Sequence, residues 1–175
     1  GADCAKFQMR HLKELYQNEG NPNDLNEDLG SQYILDVLSR SQLTRDEMLE
    51  IFDYCRGKNI IPLCTPWDIP SLKTLEEYGM DAYKVASAAL TNHELIEAIA
   101  KTGKPIILST GMSTEKEIIE TVDVLKRLGA PYILLNCNST YPAPFKDVNL
   151  QYLGRLKEIG DCLVGYSGHE RGINI

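Results

Sequence analysis

The chain alternates between short apolar runs and longer stretches in which apolar residues recur every three or four positions. The runs at residues 60–64, 82–86, 106–108, 133–135 and 163–166 are mostly apolar, which predicts strands buried on both faces of a parallel sheet. Residues 2–7 predict a further strand, with Asp3 and Lys6 interrupting the apolar pattern. Helices are expected over residues 45–56, 71–77, 92–101, 115–128 and 150–159. In the fourth of these, Ile118, Ile119, Val122, Leu125 and Leu128 keep helical spacing and leave the other face polar.

Three of the helix starts show capping-box spacing: Thr44 with Glu47, Thr91 with Glu94, and Thr114 with Glu117. There the Thr hydroxyl satisfies a free N–H of the first turn while the Glu reaches back to the cap. Strand, short loop, capped helix and strand is the order of a parallel α/β protein. Six strands counted this way are compatible with a doubly wound open sheet or with a (β/α)8 barrel. Since a barrel usually takes about 250 residues, the chain would be roughly two strand–helix units short. Residues 9–42 fit neither pattern. Their Asn-, Asp-, Glu- and Gly-rich centre, 18–30, reads as an irregular loop insertion with room for one short helix. Gly1 stands where a Met would open a natural chain and runs almost directly into a strand, so upstream residues are expected.

Composition narrows the classes. The 175 residues are 43% hydrophobic and 25% charged, which suits one globular domain with a sizeable core. No run of about 18 apolar residues predicts a membrane helix, and no secretion leader is visible. The net charge of −7 argues against a broad nucleic-acid surface but permits a local cluster of lysines around a small anion. Cys4, Cys55, Cys64, Cys137 and Cys162 are odd in number, scattered and without a C-x-x-C pair. They read as buried, reduced thiols of a cytoplasmic protein rather than a disulfide framework or a zinc site.

Ligands of parallel α/β folds sit at the C-terminal ends of the strands. Those ends carry Lys6 and Gln8, then Thr65, Lys84 and Ser87, Ser109 and Thr110, Asn136, Asn138, Ser139 and Tyr141, and finally Ser167 and His169. Lysines, hydroxyls and glycine-bearing turns (Gly111, Gly168) on one rim suit a phosphate or carboxylate. Taken singly, each has a plainer explanation: a solvated Lys84, a helix-capping Ser109-Thr110-Gly111 turn, a loop His169, a rigid Tyr141-Pro142-Ala143-Pro144 segment. His11 and His93 read as structural.

Six segments together resemble the successive strand ends of the N-acetylneuraminate (sialic acid) synthase family. They are Ala2-Asp3-Cys4-Ala5-Lys6-Phe7-Gln8, Cys64-Thr65-Pro66-Trp67-Asp68, Tyr83-Lys84-Val85-Ala86-Ser87, Ile107-Leu108-Ser109-Thr110-Gly111-Met112, Cys137-Asn138-Ser139-Thr140-Tyr141-Pro142 and Gly165-Tyr166-Ser167-Gly168-His169. They occur in the family's order. The resemblance implies an incomplete (β/α)8 TIM barrel in which these are strands two to seven. Strands one and eight, and a C-terminal antifreeze-like domain, would lie outside the chain, and the full-length protein would be a homodimer.

The same resemblance implies the chemistry: condensation of phosphoenolpyruvate with N-acetylmannosamine or a related amino-sugar aldehyde, with release of phosphate. Lys6, Thr65, Lys84, Ser87, Ser109, Ser139 and Ser167 match residues that hold phosphoenolpyruvate, with Lys6, Lys84 and Tyr141 as the catalytic group. Tyr141 lines the sugar pocket, with Gln8 beside it, and His169 is one of two histidines for a divalent metal, Mn2+ with Mg2+ or Co2+ as substitutes. Three positions depart from the family pattern: Ala89 where many members carry Glu, Asn136 where His is common, and Gly168 where Asp is frequent. The first of these questions the acid/base assignment. Two other readings stay open, a Schiff-base aldolase using Lys84 and a non-catalytic phosphoenolpyruvate-binding homologue. No nucleic-acid or membrane partner is expected, and a six-strand chain alone is expected to be inactive and to associate through its open edges.

Overall fold

Six strands, β1 (Cys4–Met9), β2 (Ile61–Pro66), β3 (Tyr83–Val85), β4 (Ile106–Ser109), β5 (Tyr132–Cys137) and β6 (Leu163–Ser167), form one sheet in sequential order. The structure is a computed structural model that describes residues 1–15 and 37–175. Every neighbouring pair is parallel. The connections hold α1 (Leu12–Leu15), α2 (Arg45–Gly57), α3 (Ile69–Tyr78), α4 (His93–Ala100), α5 (Glu115–Leu128) and α6 (Tyr152–Gly160). All six predicted strands and all five predicted helices are present. The loop insertion expected at 9–42 has its centre outside the described residues.

Strand pleat sorts the side chains. Cys64, Tyr83, Val85, Ile106, Leu108 and Leu134 point to one face and enter the hydrophobic core beneath the helices. The intervening positions, Lys6, Thr65, Lys84, Ile107, Ser109, Leu135 and Ser167, share the other face by register and alternation. On the helical side, Met48, Phe52 and Cys55 form the buried stripe of α2, and Phe52 meets Phe7 edge-on with ring centroids 5.5 Å apart.

Capping explains most helix boundaries. Thr44 and Thr114 make the capping boxes their spacing predicts, and Gly129 ends α5 in the left-handed conformation at φ 65°. The third box is not made. Asn92, one residue later, caps α4 by accepting from the Leu95 N–H, because a short carboxamide reaches the first-turn donors as well as Thr does. The helix predicted at 71–77 begins two residues earlier, where Asp68 caps it and Pro70 occupies its first turn. In α5 the buried stripe is Ile118, Thr121, Val122 and Leu125, whereas Ile119 is 39% exposed. Thr121 takes the place expected of Ile119 because its hydroxyl donates to the Leu90 carbonyl at 3.0 Å.

All five cysteines are free. Cys55, Cys64 and Cys137 are buried as expected, but Cys4 is exposed because β1 lies at the edge of the described sheet. Among the described residues no helix is long and apolar enough to cross a membrane.

Candidate active site

The strand ends converge on a cavity of about 360 Å³. Its wall contains every residue given a substrate, sugar or metal role from the sequence, namely Lys6, Gln8, Thr65, Lys84, Ser87, Ser109, Ser139, Tyr141, Ser167 and His169, but not the rim residues Thr110, Asn136 and Asn138. Parity accounts for the first part of this set, since each is a last or next-to-last inward residue of its strand. Ser87, Ser139, Tyr141 and His169 follow from the loops.

Three cations face the cavity, Lys6, Arg10 and Lys84, and none of the described lining residues is acidic. On a chain of net charge −7 this is a local reversal of sign. Lys84 is buried, with its ammonium 2.7 Å from the Val85 carbonyl and 2.6 Å from Ser109 Oγ. Desolvation, reinforced by the nearby Lys6, pulls its pKa down to about 8. Lys6 is more open to solvent, and partial burial again lowers its pKa, with Cys64 opposing and Arg10 adding to the effect. Burial drives the thiol of Cys64, on the core side of β2, up to about 12, so it stays neutral and is not a nucleophile.

The hydroxyls are held in different ways. Ser87 Oγ accepts the Gly111 N–H at 3.1 Å. Gly111 has no side chain to spare: a Cβ there would run into the Cys137 carbonyl and stand 2.9 Å from Ser139 Oγ. This close approach brings the β4 and β5 loops together. Thr65 Oγ1 is buried with no hydrogen-bond partner among the described residues. An orphaned hydroxyl costs roughly 1–3 kcal/mol, which a bound acceptor or donor in the cavity would recover.

His169 is fixed on two sides. Its Nδ1 lies 2.7 Å from the Asn138 carbonyl, a pure acceptor, so Nδ1 carries a proton, and in the neutral ring Nε2 is the nitrogen with the lone pair. Tyr141 stacks on the ring at 4.1 Å between centroids, and its hydroxyl donates to Nε2 at 3.1 Å. A metal-binding histidine ordinarily has this arrangement, with a backbone carbonyl holding the second nitrogen. Among the described residues no three His, Cys, Asp or Glu side chains converge as a metal set. The described cavity wall thus offers one imidazole, that of His169, and no assembled metal set.

Several rim residues prove to have other duties. Asn136 is turned from the cavity, and its amide donates to the Val148 and Asn149 carbonyls at 3.3 and 2.9 Å. Thr110 donates to the Leu135 carbonyl, and Asn138 braces the loop through Asp147 and Thr140. Ala89, whose lost carboxylate bore on the acid/base assignment, lies in the apolar core, and its neighbour Ala88 lines the cavity instead. At Gly168 a Cβ would stand 2.8 Å from the Glu170 carboxylate, which accepts the Tyr166 hydroxyl at 2.7 Å.

Arg10, Trp67 and Met112 also line the cavity and were not assigned site roles from the sequence. Arg10 lies just beyond β1, two residues after Gln8, and its guanidinium is 4.5 Å above the Trp67 ring. The same i, i+2 step that links Lys6 to Gln8 would have found it.

Comparison with known proteins agrees with the geometry. An uncharacterized protein of Methanocaldococcus jannaschii is 39% identical over 99% of this chain and 48% of its own length. The N,N'-diacetyllegionaminic acid synthase of Campylobacter jejuni is 37% identical over 100% and 54%. The crystal structure of the sialic acid synthetase of Leptospira borgpetersenii, in complex with citrate, superposes with a TM-score of 0.86 at 32% identity, covering 99% of this chain and 56% of that one. The chain thus spans about half the length of the curated relatives it matches. The NeuB family model aligns with residues 1–175, which leaves none of the cavity outside the match, and the chain belongs to that family, the N-acetylneuraminate synthases.

Proposed function

We propose that the protein is a nonulosonic acid synthase that joins phosphoenolpyruvate to an amino-sugar aldehyde, N-acetylmannosamine in the first instance. The observation that carries this reading is the cavity, with no acidic side chain among its described lining residues, with Lys6 and Lys84 on one wall and, between them in the sheet, the Thr65 hydroxyl, which has no partner among the described residues. Phosphoenolpyruvate brings a carboxylate and a phosphate on three carbons, which matches two separated ammonium groups ringed by hydroxyls. The six strands would be the second to seventh of a (β/α)8 barrel, in a homodimeric cytoplasmic enzyme.

Lys6 and Lys84 neutralise the two anionic ends, while Thr65, Ser87, Ser109, Ser139 and Ser167 fix their orientation. Gln8 and Tyr141 border the space left for the sugar. Carbon three of phosphoenolpyruvate attacks the aldehyde carbon, forming the new C–C bond as the C=O π bond breaks, and the carbonyl oxygen takes up a proton and stays on that carbon as a hydroxyl. Water adds at carbon two, and collapse of that tetrahedral centre breaks the C–O bond and expels inorganic phosphate. A divalent cation held through His169 Nε2, Mn2+ with Mg2+ or Co2+ as substitutes, would supply Lewis-acid polarisation of the aldehyde. The chain's own part is to position both reactants and to stabilise developing charge.

The desolvated Lys84 favours a second reading, a Schiff-base aldolase, because such enzymes need an amine whose pKa has fallen. Phosphate release by the full-length protein, measured with each substrate alone and with both, tests the first reading. Release that requires both substrates supports the synthase. Phosphoenolpyruvate binding without release rejects it in favour of a binding protein, and borohydride trapping of a pyruvate adduct on Lys84 rejects it in favour of the aldolase.

A further inference from the structure

Two loops meet at the mouth of the cavity, one following β1 and one following β2. The Trp67 N–H donates to the Met9 carbonyl at 3.1 Å, and the Trp67 indole donates to Gln8 Oε1 at 2.9 Å. Arg10 donates to the same Gln8 oxygen at 2.6 Å while stacked on the indole. Gln8, Arg10 and Trp67 thus form one shelf of the cavity wall.

Behind the shelf lies Asp68, buried at 8% exposure. One carboxylate oxygen accepts the Ser71 N–H at 2.7 Å and caps α3. The other accepts the His11 N–H at 2.6 Å, 57 residues away in sequence. A helix cap needs only one acceptor, which Ser, Thr or Asn supplies as well. Only a carboxylate offers two acceptors and no donor. The second oxygen acts on the β1 loop at the residue following Arg10.

We infer that Asp68 is a positioning residue for acceptor-sugar binding: by tying the β1 loop to the start of α3 it holds the Gln8–Arg10–Trp67 shelf against the sugar. The inference rests on the synthase reading for the identity of what the shelf touches, but the tie itself does not. Asp68 touches no reacting atom and acts through Gln8.

The test uses the full-length protein with Asp68→Ser and the isosteric Asp68→Asn. Both keep an oxygen for the Ser71 N–H and lose the acceptor for the His11 N–H. The KM for the amino sugar should rise about tenfold in both, while kcat and the KM for phosphoenolpyruvate stay within about twofold, since a charged hydrogen bond far from the chemistry is lost. Solvent exchange of the Trp67 indole N–H, assigned by its absence in Trp67→Phe, should quicken by about tenfold as the shelf loosens. A wild-type acceptor KM together with wild-type indole exchange in either folded variant would reduce Asp68 to a helix cap and overturn the inference. A wild-type protein that converts no amino sugar would overturn the synthase reading alone. Indole exchange then decides the tie by itself: faster exchange upholds it, unchanged exchange refutes it.

Discussion

Lys84 Nζ lies 2.6 Å from Ser109 Oγ, a contact across two adjacent parallel strands in which Lys84 is paired with Ile107. The ammonium is therefore set in place before any ligand arrives, held by a hydroxyl and a carbonyl and without a carboxylate partner among the described residues of the cavity wall. A buried cation without a counter-ion is destabilising by itself, and it is the arrangement a dianionic ligand relieves.

Replacing Lys84 by Met should separate stability from function. The fall of the Lys84 pKa to about 8 corresponds to a cost of about 3 kcal/mol for keeping the buried group charged. Lys84→Met should accordingly unfold at equal or higher urea concentration than the wild type, while phosphate release falls by more than about a hundredfold. Loss of both together would assign Lys84 to the core and not to the ligand.

The pH dependence follows from the same group. Below pH 8 the folded and unfolded states both carry a charged Lys84, so the cost of burial is fully present. Between pH 8 and the ordinary lysine value of 10.5 the unfolded chain binds the extra proton, and the ligand-free protein gains stability as pH rises. A bound phosphate or carboxylate restores the ammonium, so binding takes up a proton in this window. Phosphoenolpyruvate affinity should be level below pH 8 and fall by up to about tenfold per unit above it. Calorimetry in two buffers of different ionisation enthalpy would detect the proton uptake.

Tyr141 and His169 should separate under metal titration. The Tyr141 hydroxyl donates to Nε2, the atom a cation would use, and the Nδ1 bond to the Asn138 carbonyl remains when that hydroxyl is removed. Tyr141→Phe in the full-length protein should bind Mn2+ at least as tightly as the wild type, while His169→Ala should weaken binding by more than about tenfold. Paramagnetic resonance of free Mn2+ measures both. Equal affinity in all three proteins would remove His169 from the metal site.

Much of this site is legible in the sequence because strand pleat and strand ends are local properties. Lys6, Thr65, Lys84 and Ser109 are placed by alternation within short strands, and parallel register carries them to one wall. What the sequence hides is long-range. Asn136 and Asn138 stand at a strand end like Ser139, yet their amides meet carbonyls of the loop before α6, contacts set by how that loop returns. The unused capping box at Thr91 was hidden for a different reason: two good caps, Thr91 and Asn92, stand side by side, and the chain direction after the short helical turn at Ser87–Ala89 selects the second.

Gly111 gives a test of the loop packing that brings Ser87 and Ser139 to the cavity. Its missing side chain lets the β4 loop approach the Cys137 carbonyl and donate to Ser87. Gly111→Ala should destabilise the protein by about 1–3 kcal/mol in urea titration and weaken phosphoenolpyruvate binding. A neutral substitution would mean that the loops are not packed as described.

The central claim is that the cavity drives C–C bond formation with expulsion of phosphate from carbon two. Phosphoenolpyruvate labelled with 18O in the bridging C–O–P oxygen tests it directly in the full-length protein, with and without the amino sugar. The account predicts that released phosphate carries the label and that release requires the aldehyde, because the bond broken is the C–O bond of a tetrahedral centre. Unlabelled phosphate, released with or without the sugar, would show attack at phosphorus and contradict the account.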